Sequence, residues 1–193
     1  VINGYGTYLE GNRVVNYVEL HDEAWPTSGG GRLVKQIDTT FPHDDQYARG
    51  RFTLAQGLVL TAPGVPAMLQ GSEWLESRDF GTDEGNRIDW GKKTQYAGVF
   101  ALHRDLIELR TQRPELRADA FWQVSHLNEG GNVIGFRRGL GDGTLMVLVN
   151  FSSNTYSGYQ IGVPLDTEWR VLLDSQDAAY GGSGALNPGV LQA

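Results

Sequence analysis

Hydrophobic residues follow two different patterns along the chain, and the pattern changes near residue 118. Before that point, residues 14–20 and 65–69 form short apolar, partly β-branched segments, which are typical of buried strands. Residues 48–60 and 96–110 place apolar side chains at helical spacing, and a proline follows each stretch. This part of the chain therefore predicts two β/α units in sequence.

From residue 120 onward, apolar and polar side chains alternate with a period of two. Glycine-containing turns at 129–131 and 141–143 separate several of these segments. The predicted strands are residues 121–124, 132–137, 144–151, 159–163 and 169–173. Short strands with turn signals between them predict an antiparallel β-sandwich, followed by an irregular tail over 179–193. We therefore divide the chain into a partial β/α domain, 1–118, and an all-β domain, 119–193.

The two β/α units are too few to form a complete fold. Alternating strands and helices require a parallel sheet, and two parallel strands cannot bury both faces of one. We expect further strands from an upstream part of the polypeptide or from another chain. The chain begins with valine instead of methionine, which fits a fragment.

Composition and charge argue against several classes of protein. The chain has 23 acidic and 16 basic residues and a formal net charge of −7, which argues against partnership with nucleic acid or anionic lipid. Its longest apolar runs predict no membrane span, and residues 1–6 show no signal peptide. The absence of cysteine excludes thiolate metal sites and cysteine nucleophiles, and favours a cytoplasmic location.

Polar side chains with catalytic potential follow the first predicted strand. Active sites of α/β folds lie at the C-terminal ends of parallel strands, where residues 19–25 place three carboxylates and one imidazole. Asp22 can accept hydrogen bonds from sugar hydroxyls, and His21 can donate beside it. The alternative is a polar loop in which Asp22 caps a helix.

A second polar group follows the second predicted strand. Residues 64–74 contain Gln70, Glu73 and Trp74 together with two glycines. The glycines are also consistent with tight turns in a purely structural loop.

The five tryptophans fall into two sets. Trp25, Trp74 and Trp90 lie in the loops of the first part, where they can stack on sugar rings or pack beneath the loops. Trp122 and Trp169 lie in predicted strands and are expected in the core of the all-β part.

Together, the two polar groups resemble signatures of the α-amylase superfamily, glycoside hydrolase family 13. Residues 17–23 (YVELHDE) resemble the family's seventh-strand signature, although Leu20 replaces the usual Asn or Ser. Residues 64–73 resemble the eighth-strand signature Gly-x-Pro-x-x-x-x-Gly-x-Glu. The His-Asp-Glu form, residues 86–90 (NRIDW) and the late segments 173–175 and 180–184 are similar to branching enzymes of glycogen and starch metabolism.

The resemblance implies the last two β/α units of a TIM-type barrel, followed by the family's C-terminal β-domain. It implies transfer of α-1,4-glucan chains to α-1,6 branch points, with retention of anomeric configuration. Asp22 corresponds to the family's transition-state stabiliser, and His21 to the histidine that binds the same sugar ring. The expected substrate-binding residues of second rank are Glu23, Trp25, Gln70 and Glu73. The resemblance implies no cofactor and no metal.

The family's nucleophile and acid/base carboxylates belong to earlier barrel strands, and no segment here resembles them. We therefore expect this chain alone to be inactive, with the missing N-terminal barrel portion and an α-1,4-glucan as its partners. Two alternatives remain open: a fragment of an amylase-like hydrolase, and a non-catalytic β-sandwich that binds glucan or packs against a barrel.

Overall fold

The computed structural model of the protein describes residues 11–25, 27 and 31–193. The four α-helices are α1 (Leu33–Ile37), α2 (Gln46–Thr61), α3 (Gly91–Gln95) and α4 (Ala97–Gln112). The seven strands are β1 (Val15–Asn16), β2 (Val65–Pro66), β3 (Trp122–Asn128), β4 (Val133–Arg138), β5 (Leu145–Asn150), β6 (Glu168–Arg170) and β7 (Val190–Gln192). These counts refer to the described residues. Residues 1–6, for which the sequence predicts no signal peptide, lie outside them. In the described part, no helix has the length and apolar character needed to cross a membrane.

Strands β1 and β2 run parallel, as the sequence predicts, but each is only two residues long. Val15 lies opposite Val65, and Asn16 lies opposite Pro66. Each strand pairs with one neighbour in the described sheet, so only one of its edges is used. Val15 and Val65 are both exposed, and the pair therefore leaves apolar surface in contact with solvent.

Helices α2 and α4 confirm the helical periodicity and pack against each other. Asp45 caps the N-terminus of α2, because its carboxylate accepts a hydrogen bond from the Ala48 amide at 2.6 Å. Two groups of buried side chains join the helices to their surroundings. One group is Val34, Phe52, Leu75, Tyr96 and Val99, and the other is Leu60, Leu102 and Leu106.

His103 is a buried polar side chain in this helical layer. Its Nδ1 lies 2.8 Å from the Val99 carbonyl, which can only accept a hydrogen bond, so Nδ1 carries the proton. Its Nε2 has no hydrogen-bond partner among the described residues. Burial lowers the pKa of His103, and the Val99 carbonyl and the charge of Glu73 oppose this shift only in part. The imidazole is therefore neutral in the folded protein at pH 7.

In the C-terminal part, β3, β4 and β5 form an antiparallel sheet in that order, and β6 and β7 form an antiparallel pair. A bulge interrupts the pairing between Val124 and His126. Residues 159–163 form no strand, which corrects the prediction for that segment. Instead, the Tyr159 hydroxyl lies 2.7 Å from His126 Nε2, so this segment contacts a side chain of the sheet.

Two further expectations for the C-terminal part are corrected. Val190–Gln192 forms strand β7, in a tail predicted to be irregular, because it pairs with β6 from Glu168 to Arg170. Trp122 and Trp169 are half-buried and do not form the core. The buried hydrophobic side chains of the three-stranded sheet are Val133, Phe136 and Val149.

Arg138 joins the sheet to the helical part. Its guanidinium is fully buried and donates to the Thr61 carbonyl at 3.1 Å and to the Arg117 carbonyl at 2.5 Å. Glu115 packs against the β4–β5 turn, where a Cβ on Gly143 would lie 2.2 Å from a Glu115 carboxylate oxygen. A side chain at position 143 would therefore displace this contact.

Replacing His103 with Gln is expected to change how stability depends on pH. Because the folded-state pKa lies below the ordinary 6.5, the unfolded chain takes up a proton first as the pH falls below about 6.5. The free energy of unfolding of the wild type should therefore fall between about pH 7 and pH 5, relative to that of His103→Gln. Urea titrations at several pH values measure this difference. A difference in the free energy of unfolding between the two proteins that stays constant from pH 7 to pH 5 would contradict the prediction.

Candidate functional site

The segment after β1 forms a tight turn that carries the predicted catalytic residues. The Ala24 amide donates to the Leu20 carbonyl at 3.0 Å, and residues 21–24 lie in a turn. No helix of the described chain begins there, so Asp22 does not act as a helix cap. The His21 Nε2 lies 3.2 Å from Asp22 Oδ1, and the two side chains are 60% and 83% exposed. The carboxylate is therefore accessible to a ligand.

A buried ion pair lies beneath this exposed turn. Glu19 and Arg32 are 3% and 2% exposed, and Arg32 Nη1 lies 3.3 Å from Glu19 Oε1. The same oxygen accepts a hydrogen bond from Ser72 Oγ at 2.5 Å. Glu19 Oε2 accepts from the Leu33 amide at 2.6 Å. Both carboxylate oxygens are thus satisfied, which a buried charge requires.

Arg32 extends this network to the segment after β2. Its Nη2 donates to the Gln70 carbonyl at 2.9 Å, and its Nε donates to the Arg78 carbonyl at 3.1 Å. The planar guanidinium supplies donors at fixed angles, so it sets the spacing of the groups it binds. The chain after β1 and the chain after β2 are therefore held together around one side chain.

Gln70 and Glu73 lie in this second segment, as the sequence predicts. The Gln70 side chain is exposed, whereas its carbonyl is held by Arg32. Glu73 is half-buried, and its Oε2 accepts from the Gly71 amide at 2.8 Å. One oxygen of Glu73 thus stabilises the local turn. Binding of substrate by either residue stays a prediction, as it does for exposed Glu23.

Aromatic rings connect the chain after β1 with the chain after β2 on the solvent-exposed side of the site. Phe80 lies 5.7 Å from His21 and 5.9 Å from Trp25, measured between ring centroids. The Phe80 amide donates to the Ala24 carbonyl at 2.9 Å, so the backbone is held at the same place. Trp25 itself is half-buried.

The other two loop tryptophans have different surroundings. Trp74 is buried and belongs to the packing beneath the loops, whereas Trp90 is mostly exposed. Their ring centroids lie 5.0 Å apart. Of the two alternatives, core packing is therefore observed for Trp74, and sugar stacking stays open for Trp90.

A second buried carboxylate, Glu76, holds the chain that follows. Its two oxygens accept hydrogen bonds from the Arg78 amide at 2.8 Å and the Asp89 amide at 2.5 Å. Lys92 Nζ lies 3.6 Å away and donates to Ser77 Oγ at 2.6 Å. Burial lowers the pKa of Lys92, against the opposing effects of Glu76 and Asp89.

Sequence reasoning missed four residues of this region: Arg32, Ser72, Glu76 and Phe80. Glu76 and Ser72 lie in or beside a recognised signature, but their burial has no local signal. Arg32 lies in a polar segment without periodicity, and it contacts residues that are 13 and 46 positions away. Among the described residues, no group of three or more His, Asp or Glu side chains could hold a metal ion.

Replacing Glu19 with Gln is expected to lower the free energy of unfolding by about 3–5 kcal/mol, because Arg32 would keep a buried charge without a counter-ion. Urea denaturation of the 193-residue chain measures the loss. Glu84→Gln is the matched control, since the Glu84–Arg87 pair is mostly exposed and its loss should cost no more than about 0.5 kcal/mol. Equal losses for the two variants would show that the buried pair contributes no more than a surface pair.

The C-terminal part of the chain matches a known protein family. Residues 123–193 match the family described as alpha amylase, C-terminal all-beta domain. The GlgB 2 1,4-alpha-glucan branching enzyme of Xanthomonas oryzae pv. oryzae (strain MAFF 311018) is 30% identical over 180 residues, covering 90% of this chain and 24% of that protein. The GlgB of Rhodopseudomonas palustris (strain HaA2) is 36% identical over 137 residues, covering 66% of this chain and 19% of that protein. The chain thus spans about a fifth to a quarter of the length of these relatives.

Solved structures show the same fold. The pullulanase of Anoxybacillus sp. LM18-11, crystallised with maltotriose, matches 96% of this chain and 26% of its own chain, with a TM-score of 0.67 and 20% sequence identity. The type I pullulanase of Bacillus subtilis str. 168, crystallised with maltose, matches 88% of this chain and 24% of its own chain, with a TM-score of 0.62 and 23% identity. Residues 123–193 thus match the alpha-amylase C-terminal all-beta domain family, and 90% of the chain is similar to part of a 1,4-α-glucan branching enzyme, in agreement with the resemblance to the α-amylase superfamily.

Proposed function

We propose that this chain is part of a 1,4-α-glucan branching enzyme, in which Asp22 stabilises the transition state of glycosyl transfer. The observation that carries the proposal is the exposed Asp22–His21 pair, held above a buried ion pair in a chain similar to branching enzymes along 90% of its length. The product would be an α-1,6 branch on an α-1,4-glucan, as in glycogen biosynthesis. The cysteine-free composition supports a cytoplasmic location.

The proposed domain organisation is the last two β/α units of a TIM-type barrel in residues 1–118 and the C-terminal domain in 119–193. The parallel pairing of β1 with β2 and the exposed apolar residues Val15 and Val65 support the first assignment. Further strands would pair with the unused edges of β1 and β2. The missing N-terminal barrel portion would then be the principal protein partner.

The proposed reaction uses two carboxylates from that missing portion, one as nucleophile and one as acid and then base. Asp22 would accept hydrogen bonds from hydroxyls of the distorted sugar, and these bonds would strengthen in the transition state. His21 would donate to the same ring beside it. Glu23, Trp25, Gln70 and Glu73 would line the remaining surface around the sugar.

Asp22→Asn in the complete polypeptide is expected to slow branch formation by about 10²–10³-fold, since a contact worth several kcal/mol in the transition state would weaken. The rate at which α-1,6 linkages appear in amylose measures this loss. Asp83→Asn, which changes an exposed carboxylate in a neighbouring loop, should leave the rate unchanged. If both variants branch amylose at the wild-type rate, Asp22 does not have the proposed role.

The 193-residue chain by itself is expected neither to branch nor to hydrolyse amylose, because it has no segment resembling the family's nucleophile or acid/base signatures. Incubation of the purified chain with amylose, followed by analysis of chain lengths and linkages, tests this. Turnover by the pure chain would require catalytic carboxylates within it. It would refute the proposal that the nucleophile and the acid/base lie in the missing N-terminal barrel portion.

Product analysis of the complete polypeptide also separates branching from hydrolysis. A branching enzyme transfers the glycosyl unit to a glucan hydroxyl, so α-1,6 linkages appear while reducing ends stay nearly constant. An amylase-like hydrolase transfers it to water, so reducing ends accumulate without new branches. The second result would favour the hydrolase.

A further inference from the structure

Phe80 occupies a central position on the exposed side of the proposed site. Its ring lies edge-on to the His21 imidazole, at 5.7 Å and an interplanar angle of 62°. The Phe80 ring also lies 5.9 Å from the Trp25 indole, at an angle of 53°. The three rings therefore form a continuous aromatic strip, with Phe80 in the middle.

The backbone around Phe80 is held firmly from several directions. Its amide donates to the Ala24 carbonyl at 2.9 Å, within the turn that carries Asp22. The preceding residue, Asp79, accepts from Lys35 Nζ through both carboxylate oxygens, at 2.8 and 2.9 Å. The Arg78 carbonyl accepts from buried Arg32. These contacts fix the position of the aromatic strip before any ligand binds, which lowers the entropic cost of binding.

The exposure of the strip suits a sugar ligand. Phe80 is 39% exposed, and the His21 and Asp22 side chains beside it are more exposed still. A glucose unit presents apolar C–H groups on its faces and hydroxyls at its edge. An aromatic ring can cover such a face, while a carboxylate and an imidazole take the hydroxyls. The apolar and polar groups required for this lie side by side here.

We propose that Phe80 is a substrate-contacting residue, whose ring packs against a glucose unit of an α-1,4-glucan while Asp22 and His21 bind its hydroxyls. This inference rests on the proposed function for the identity of the ligand. It goes beyond the proposed function because it assigns Phe80 a role that the signatures do not suggest. It also requires the 193-residue chain to bind glucan without the remainder of the enzyme. Trp25 extends the same surface.

Titration of the 193-residue chain with maltoheptaose, followed by NMR of the His21 and Trp25 ring protons, tests the proposal. We expect these signals to shift at millimolar maltoheptaose. Phe80→Ala should weaken binding by about tenfold or more, whereas Phe80→Tyr, which keeps the ring, should stay within about threefold of the wild type. Phe121→Ala is the matched control, because Phe121 is also 39% exposed but lies against Arg137 in the C-terminal part.

Phe80→Leu separates contact with the sugar from positioning of neighbours, since leucine keeps much of the packing volume and removes the flat face. Binding by this variant as tight as in the wild type would overturn the contact with the sugar. The absence of shifts in the wild type, or equal binding by Phe80→Ala, would overturn it as well. The proposed function is tested separately, by branch formation with Asp22→Asn in the complete polypeptide, so failure of this inference and failure of the proposed function remain distinguishable.

Discussion

The buried pair of Glu19 and Arg32 is the interaction on which the geometry of the proposed site depends. Two charges removed from water are costly, and their attraction offsets this cost only when the remaining donors and acceptors are satisfied. Here the Glu19 carboxylate also accepts from Ser72 and the Leu33 amide, and Arg32 also donates to two carbonyls. The network is therefore specific for one arrangement of three chain segments: the end of β1, the start of α1 and the chain after β2.

This network compensates for a very short sheet. The β1–β2 ladder pairs only two residues in each strand, so it cannot by itself fix the segments that follow. The ion pair fixes them from below, and the Phe80 contacts with His21 and Trp25 fix them from the solvent side. Asp22 belongs to the turn that both sets of contacts hold, and its side chain is 83% exposed. An exposed carboxylate in a loop can be held in a defined position in this way while it remains free to meet a ligand.

How much of this arrangement the sequence predicts depends on how far apart along the chain the interacting residues lie. Helices α2 and α4 and the two polar groups were predictable, because periodicity and signatures involve residues close in sequence. Ser72 and Glu19 are 53 positions apart, and nothing near either residue indicates their hydrogen bond. The same holds for β7, a three-residue strand that exists through pairing with β6. The role of Phe80 depends on two rings more than 50 positions upstream, so a local pattern could not reveal it.

The C-terminal part is joined to the helical part through contacts that limit its independence. Arg138 places a buried guanidinium from β4 against carbonyls of Thr61 and Arg117. At a separate point, the Tyr180 hydroxyl donates to Asp105 of α4 at 2.8 Å. A Cβ on Gly98 would lie 2.7 Å from the Tyr180 carbonyl carbon, so the backbones meet where only glycine fits. Separation of the two parts would break the hydrogen bonds of Arg138 and Tyr180 and expose the surfaces that they join to water. This favours a packing role for the all-β part over that of a detachable glucan-binding module.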